Sequence, residues 1–379
     1  MTTGRVAYMP SPGTVELREY EVPEPGPGAV LLKTLLAGVC GSEIHMFGGK
    51  HSVLSSVALG HEIVGEVAAL GAGVDTDRSG EPLAVGDRVS VTYFRTCMAC
   101  PACGRQELAS CERAYDGWLR SPDEFPHFIG TMSTHYYVDP RQWIYKIPAN
   151  VPTIAAASAN CALSQMVAAI ERSAVRPGES IVIQGVGGLG LYGCALAHER
   201  GAHVVALDRV PARLARAQEF GAHAVIDMND FATAEERAER VRELVGRQGA
   251  DVVMGVAGVP DTFVEGIALA RPAGRYVEVG NVLPGVNVTF DIGTLTRRGV
   301  TVIPVLRYEP RHLREALAFL SRNIDRYPLA SMLDGTYSLD QVKQAIEDSR
   351  DRKVTRAAIA PGEQAAALRS DQRRAGDDS

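Results

Sequence analysis

Ser180-Ile-Val-Ile-Gln-Gly-Val-Gly-Gly-Leu-Gly-Leu-Tyr-Gly-Cys-Ala-Leu-Ala-His-Glu-Arg200 opens with a short apolar run, Ser180–Gln184, crosses a cluster of glycines, and continues as a helical pattern over Leu189–Arg200. An aliphatic run bounded by glycine reads as a buried strand, and the Ala- and Leu-rich continuation reads as a helix. The alternation repeats downstream. Strand His203–Leu207, helix Pro211–Phe220, strand Ala224–Ile226, helix Ala232–Gly246, strand Asp251–Val256, helix Phe263–Ala270 and strand Arg275–Val279 follow in order. Strands joined by helices of this length need crossover connections, which predicts an α/β architecture with a parallel, doubly wound sheet.

The flanking sequence differs in texture. Val30–Leu36, Glu62–Leu70 and Arg88–Tyr93 are short, aliphatic and bounded by turn residues, so the N-terminal part reads as mostly β, and an Ala-rich helical stretch from Ile154 to Glu171 leads into the strand at Ser180. After about Gly299 the pattern is mixed again, with helices Leu313–Leu320 and Leu339–Ser349 and a last strand Ala357–Ile359. The expected organisation is a β-rich domain over 1–153 with a cysteine lobe at about 94–113, an inserted α/β domain over 154–299, a return to the first domain over 300–361, and a disordered tail over 362–379.

Bulk composition sets outer bounds. A chain of 379 residues with 46% hydrophobic and 22% charged residues is globular and long enough for two cores. Its net charge of −6 offers no basic stripe for nucleic acid or an anionic membrane. The N-terminus lacks the apolar core of a signal peptide, and no apolar run is long enough to span a bilayer, which points to a cytoplasmic protein. In a reducing compartment its seven cysteines are more useful for metal binding or catalysis than for disulfides.

Gly185, Gly187 and Gly190, with Gly188 and Leu189 between them, satisfy G-x-G-x-x-G between a predicted strand and a predicted helix. Such a loop turns tightly, lets a pyrophosphate approach the backbone, and presents helix-start amides to it. Asp208 ends the next strand, where an acidic side chain bonds a ribose 2′-hydroxyl and repels a 2′-phosphate, favouring NAD over NADP. The plainer alternative is that Asp208 caps the helix near Pro211. Arg213, just inside that helix, is also assigned to the cofactor.

Cys97, Cys100, Cys103 and Cys111 form C-x-x-C-x-x-C-x7-C. Four soft thiolates in one short loop match a closed tetrahedral zinc site that holds structure, with an iron–sulfur cluster as the chemical alternative. Cys40, His61 and Cys161 are scattered, and each alone could be a small buried side chain. Together they supply two sulfurs and one imidazole, a zinc set that leaves a fourth position open.

These motifs in order, Gly38-Val-Cys-Gly-Ser42, Gly60-His-Glu62, Gly86-Asp-Arg-Val89, the four-cysteine lobe, Cys161, the glycine loop and Asp208, resemble the zinc-dependent medium-chain dehydrogenases, which include alcohol, sorbitol and threonine dehydrogenases. The resemblance implies a GroES-like catalytic domain with a Rossmann domain inserted, and an assembly of two or four identical subunits. It assigns Cys40, His61 and Cys161 to a catalytic zinc with Glu62 beside it, and Cys97, Cys100, Cys103 and Cys111 to a structural zinc. Ser42 and His45 match the hydroxyl and imidazole that relay the alcohol's proton, Glu43 stands where many members carry Asp to orient the histidine, Tyr93 falls in the substrate pocket, and Arg356 lies where some members place an arginine on the cofactor pyrophosphate. Many polyol dehydrogenases have Glu as third ligand, whereas Cys161 is the alcohol-dehydrogenase choice. The implied activity is hydride transfer between a secondary or cyclic alcohol, or its ketone, and NAD. Competing readings are a zinc-independent NADPH-dependent enone or quinone reductase of the same superfamily, and a non-catalytic nucleotide-binding protein.

Overall fold

A computed structural model of the chain describes residues 2–51, 54–246, 248–282 and 284–362; of the tail expected to be disordered, everything past Gly362 lies outside the described residues. The chain divides into two compact units, one of Met1–Cys161, Glu309–Asp325 and Leu329–Ser379, the other of Ala162–Tyr308 with Arg326–Pro328. Both joints differ from the expected 153/154 and 299/300. The later one shifts because Thr301–Pro304 is a strand of the second unit, paired in parallel with Ala270–Glu278.

The second unit is built on a six-stranded parallel sheet ordered Ala224–Asp227, His203–Asp208, Ser180–Gln184, Ala250–Gly255, Ala270–Glu278, Thr301–Pro304. Val182 lies beside Val205 on one side and Val253 on the other, so the central strand is covered by neighbours at both edges. The chain leaves this strand in one direction through His203–Asp208 and in the other through Ala250–Gly255. The order therefore reverses at its carboxyl end, the place where doubly wound sheets bind ligands. Val182, Val205, Val241, Val253 and Ile267 are fully buried in one cluster, each burial contributing about 1.5–3 kcal/mol. Local chemistry sets helix limits: the helix expected over Ala232–Gly246 runs Ala234–Val245, because the Thr233 side chain accepts from Glu236 N at its start and Gly246 turns left-handed at φ 61° after its end.

The first unit carries two sheets. A three-stranded sheet orders Glu16–Glu21, Thr3–Met9 and Val57–Ala58, and a larger one runs Gly335–Tyr337, Ala357–Ile359, Val30–Gly38, Val64–Leu70, Arg88–Val91, Ile144–Lys146, with His135–Val138 also paired to Val30–Gly38. Strand Ala357–Ile359 pairs antiparallel with the end of Val30–Gly38, so the C-terminal segment completes this sheet. The strand expected from Glu62 starts at Val64, leaving His61 and Glu62 in the connection before it. The Ala-rich segment expected as one helix is three pieces: Thr153–Ala156, a π-helical turn Ala159–Leu163, and Ser164–Ser173. Among the described residues no helix is long and apolar enough to cross a membrane.

Candidate functional site

Three loops of the first unit meet around two sulfurs and an imidazole. Cys40 is the residue before helix Gly41–Phe47, His61 sits after Gly60, and Cys161 is the middle residue of the π-helical turn, an irregularity common at functional sites. Gly60 has φ +93°, and a Cβ there would stand 2.5 Å from Thr131 Oγ1 and 2.6 Å from Met132 N, so only glycine lets the chain deliver His61 here. Asn160 ties two of the loops together: its Oδ1 accepts from Ile63 N at 3.2 Å, and its Nδ2 donates to His61 O at 2.9 Å and Val91 O at 2.8 Å.

The distances suit a tetrahedral ion. Cys40 Sγ and Cys161 Sγ are 3.9 Å apart and His61 Nε2 is 3.4 Å from Cys161 Sγ. Zinc bond lengths of about 2.3 Å to sulfur and 2.0–2.1 Å to nitrogen at tetrahedral angles require separations of about 3.8 and 3.5 Å. One carboxylate oxygen of Glu62 is within 4.8 Å of all three donors. Glu62 is wholly buried, its Oε2 has no hydrogen-bond partner, and Oε1 accepts from Arg356 Nη2.

Charge follows from this packing. A hydrogen bond with Cys161, supported by His61, holds the Cys40 thiol well below the ordinary thiol range, and the same bond together with burial drives Cys161 well above it. Burial acts against a charged His61, but Glu43 and Cys40 together outweigh it and raise the ring well above an ordinary histidine. Burial also raises Glu62, opposed by Arg356. The cluster is thus already biased toward one thiolate, the ligand form that zinc takes.

The four-cysteine lobe is a second set, with one ligand atom from each of Cys97, Cys100, Cys103 and Cys111 within 4.8 Å of the others. Cys97 Sγ and Cys103 Sγ are 3.9 Å apart, again close to the tetrahedral value. Backbone amides face the sulfurs: Cys100 N donates to Cys97 Sγ and Cys97 N to Cys111 Sγ, both at 3.3 Å. Amides of Cys103 and Glu112 bring Cys100 down to about 6. Glu309 braces the lobe through Ala109 N, at 3.1 Å from Oε1 and 3.2 Å from Oε2.

In the second unit the glycine loop follows the central strand. Gly185 has φ +90°, and a Cβ there would meet Ala257 N at 2.9 Å. Helix Gly188–Glu199 begins directly after Gly187, so Gly188, Leu189 and Gly190 form the helix start that the motif requires. Asp208 is buried, with Oδ2 accepting from Val186 N at 2.9 Å and Oδ1 from Arg209 N at 2.8 Å and Val210 N at 3.0 Å. Arg213 Nη1 stands 3.9 Å from Asp208 Oδ2. Asp208 therefore ties the glycine loop to the connection before helix Pro211–Glu219; the amides it accepts precede that helix, whose N-cap residue is Val210, so Asp208 does not cap its first turn.

Comparison with known proteins agrees with this geometry. A family profile described as alcohol dehydrogenase GroES-like domain matches residues 26–149, and one described as zinc-binding dehydrogenase matches residues 188–322. A 5-exo-hydroxycamphor dehydrogenase of Pseudomonas putida is 31% identical over 352 residues, covering 92% of this chain and 96% of that protein. The chain belongs to the zinc-dependent medium-chain dehydrogenase family. An L-threonine 3-dehydrogenase of Pyrococcus horikoshii is 32% identical over 81% of this chain and 83% of that protein. The crystal structure of an alcohol dehydrogenase from Thermotoga maritima superimposes with a TM-score of 0.90 at 27% identity, covering 96% of this chain and 100% of that one. Membership places this zinc-binding dehydrogenase among the oxidoreductases, with the GroES-like and Rossmann architecture read from its sequence.

The remaining expected residues fall unevenly. Ser42 Oγ is 3.5 Å from Cys40 Sγ, at the metal set, and His45 lies one turn further along the same helix, half-buried. Tyr93 packs edge-on against His61, ring centroids 5.4 Å apart. Arg356, expected on a pyrophosphate, is buried in the first unit with its guanidinium on Glu62. Asn160 was not singled out from the sequence. Its one visible signal is an amide side chain beside Cys161 in an otherwise apolar run.

Proposed function

We propose that this chain is a zinc-dependent alcohol dehydrogenase that moves a hydride between the carbinol carbon of a secondary or cyclic alcohol and NAD. The observation that carries the reading is the spacing of Cys40, His61 and Cys161, which fits one tetrahedral ion with the carboxylate of Glu62 beside the fourth corner. When bound, zinc supplies Lewis acidity toward the alcohol oxygen and nicotinamide accepts the hydride.

The chain's own residues do the rest. Ser42, beside Cys40, is placed to accept the proton of the reacting hydroxyl, and His45 on the same helix face region passes it on. Burial, with Lys50 nearby, lowers His45 below an ordinary histidine, so at neutral pH it is an unprotonated base able to receive a proton. Glu43 fixes the ring of His61. The unit Ala162–Tyr308 holds the dinucleotide, with pyrophosphate at the start of helix Gly188–Glu199 and ribose at Asp208, whose negative charge favours NAD. The four-cysteine lobe takes a second, structural zinc, which makes two per chain. A homodimer or homotetramer in the cytoplasm completes the proposal.

Metal analysis of purified protein together with a panel of alcohols assayed separately with NAD and NADP tests this. Two zincs per chain and alcohol-dependent NADH formation are expected. One zinc or none, with NADPH-dependent reduction of an enone, supports the reductase alternative. Intact zinc with no turnover on any alcohol or ketone supports a nucleotide-binding protein.

A further inference from the structure

Strands Ser180–Gln184, Ala250–Gly255 and Ala270–Glu278 end level with one another: Glu278 is in register with Gly255, and Gly255 with Gln184, the residue before the glycine loop. Glu278 therefore stands two strand spacings from that loop, about 10 Å, on the side away from Asp208. A dinucleotide laid across a doubly wound sheet puts one nucleotide on each side of the point where strand order reverses. With the adenosine ribose at Asp208 and the pyrophosphate at the glycine loop, as proposed above, the nicotinamide half falls to the Glu278 side.

The carboxylate of Glu278 lies past the end of its strand and is held by four donors. Oε1 accepts from Gly280 N and Asn281 N, both at 3.0 Å, and Oε2 accepts from Tyr276 Oη at 3.0 Å and Asn281 Nδ2 at 3.2 Å. The chain clears a slot for the tyrosine: a Cβ on Gly255 would stand 2.1 Å from its hydroxyl oxygen, and one on Gly266 would stand 2.1 Å from its ring. Gly280 is equally confined, since a Cβ there would meet Val256 O at 2.5 Å. The turn Glu278–Asn281 is thus fixed against the neighbouring strand end. All four donors are uncharged groups, so they orient the carboxylate without cancelling its charge.

We infer that Glu278 is a positioning residue for the nicotinamide half and that its charge sets the balance between oxidised and reduced cofactor. The nicotinamide ring is cationic in NAD and neutral in NADH, so a fixed carboxylate on that side of the sheet holds NAD more tightly and leaves NADH almost unaffected. In alcohol oxidation this favours uptake of NAD and release of NADH. The inference rests on the dinucleotide placement proposed above.

The test titrates the zinc-loaded full chain, reading NADH binding from the fluorescence of the reduced nicotinamide and NAD binding by competition with NADH. Glu278→Gln keeps an acceptor oxygen and the shape of the side chain but drops the charge. Its Kd for NAD should rise about 3- to 10-fold, the size of one screened unit-charge interaction, while its Kd for NADH changes by less than about twofold. Tyr276→Phe removes a donor and no charge, so the ratio of the two constants should stay that of the parent. Equal weakening of both forms in Glu278→Gln, or a shifted ratio in Tyr276→Phe, makes Glu278 a brace of the turn alone and overturns the inference. Should Glu278→Gln fail to fold, Asn281→Lys, at an exposed side chain of the same turn, must weaken NAD selectively, and an unchanged ratio there overturns the inference as well. If the parent prefers the phosphorylated cofactor, the same comparison is made with NADP and NADPH. A parent that binds no nicotinamide dinucleotide sinks the cofactor reading and this inference with it, whereas binding with an unaltered ratio in Glu278→Gln sinks this inference and leaves that reading standing.

Discussion

Glu43 Oε1 is 2.7 Å from His61 Nδ1, while Glu43 Oε2 accepts a 2.9 Å hydrogen bond from Cys40 N. One buried carboxylate thus orients two of the three proposed zinc ligands, and it does so from within the helix that Cys40 begins. An Asp at this position is one methylene shorter and could not span both contacts without a backbone shift. Glu43→Ala should therefore weaken zinc at the catalytic set by about 10- to 100-fold, measured by competition with a chelator, and Glu43→Asp should recover only part of that loss. Full recovery by Asp would show that the Cys40 contact is idle.

The two cysteine sets should separate cleanly under mutation. Cys40→Ser or Cys161→Ala is expected to remove one zinc and alcohol turnover while leaving the folded content and NAD binding intact. Cys103→Ala opens a closed site instead and should lower Tm by about 5 °C or more before it affects chemistry. Zinc content, circular dichroism and cofactor titration on the same preparations check both. Loss of folding in the Cys161 variant would make the first set a structural one.

The pH dependence should report His45. Burial and then the positive charge of Lys50 lower its pKa below the ordinary histidine value, so the neutral ring that accepts the proton persists to below about pH 6.5. The rate of alcohol oxidation should fall on the acid side of that value. Removing Lys50 takes away a repulsion that opposes the protonated ring, so Lys50→Gln should move the acid limb to higher pH, and His45→Ala should abolish it. The same shift contributes stability that is present above the unfolded histidine pKa and lost as pH falls toward the folded one. An acid limb in kcat/KM that ignores both substitutions assigns the proton to another group.

Much of this arrangement was readable from residue pattern because it is local. Ser180–Gln184, the glycines and the following helix are contiguous, and the four lobe cysteines lie within one loop, so spacing alone expresses their chemistry. What escaped is nonlocal or aperiodic. Arg356 meets Glu62 across 294 residues, and nothing in either segment announces the partner. The π-helical turn over Ala159–Leu163 is invisible in an Ala-rich run, because inserting one residue into a helix leaves the apolar composition unchanged. Thr301–Pro304 looked like the start of a different domain because no helix follows it immediately, yet its pairing with Ala270–Glu278 places it in the parallel sheet.

Arg356 and Glu62 are both buried and form an ion pair. Removing one member strands the other charge in the interior, at about 3–5 kcal/mol, whereas removing both with side chains of similar volume is close to neutral. Arg356→Met should be strongly destabilising in denaturant unfolding of the zinc-loaded protein, and Glu62→Gln with Arg356→Met should recover most of the loss. If the single variant is as stable as the parent but binds NAD poorly, Arg356 leaves Glu62 for the cofactor, as its expected pyrophosphate role requires.

Asp208 has two tasks that one substitution can separate. Its oxygens take the amides of Val186, Arg209 and Val210, which holds the glycine loop against the end of strand His203–Asp208, and its charge is the group proposed to choose between NAD and NADP. Asp208→Asn keeps one acceptor oxygen but drops the charge. KM for NADP should fall relative to NAD, by roughly tenfold for about 1.4 kcal/mol of relieved repulsion, with Arg209 and Arg213 then free to meet a 2′-phosphate. Asp208→Ala removes the acceptors as well, leaving buried amides unpaired at about 1–3 kcal/mol each, so KM should rise for both cofactors and the second unit should lose stability. Equal loss of both cofactors in the Asn variant would mean that Asp208 serves the loop alone and that cofactor choice lies with the neighbouring arginines.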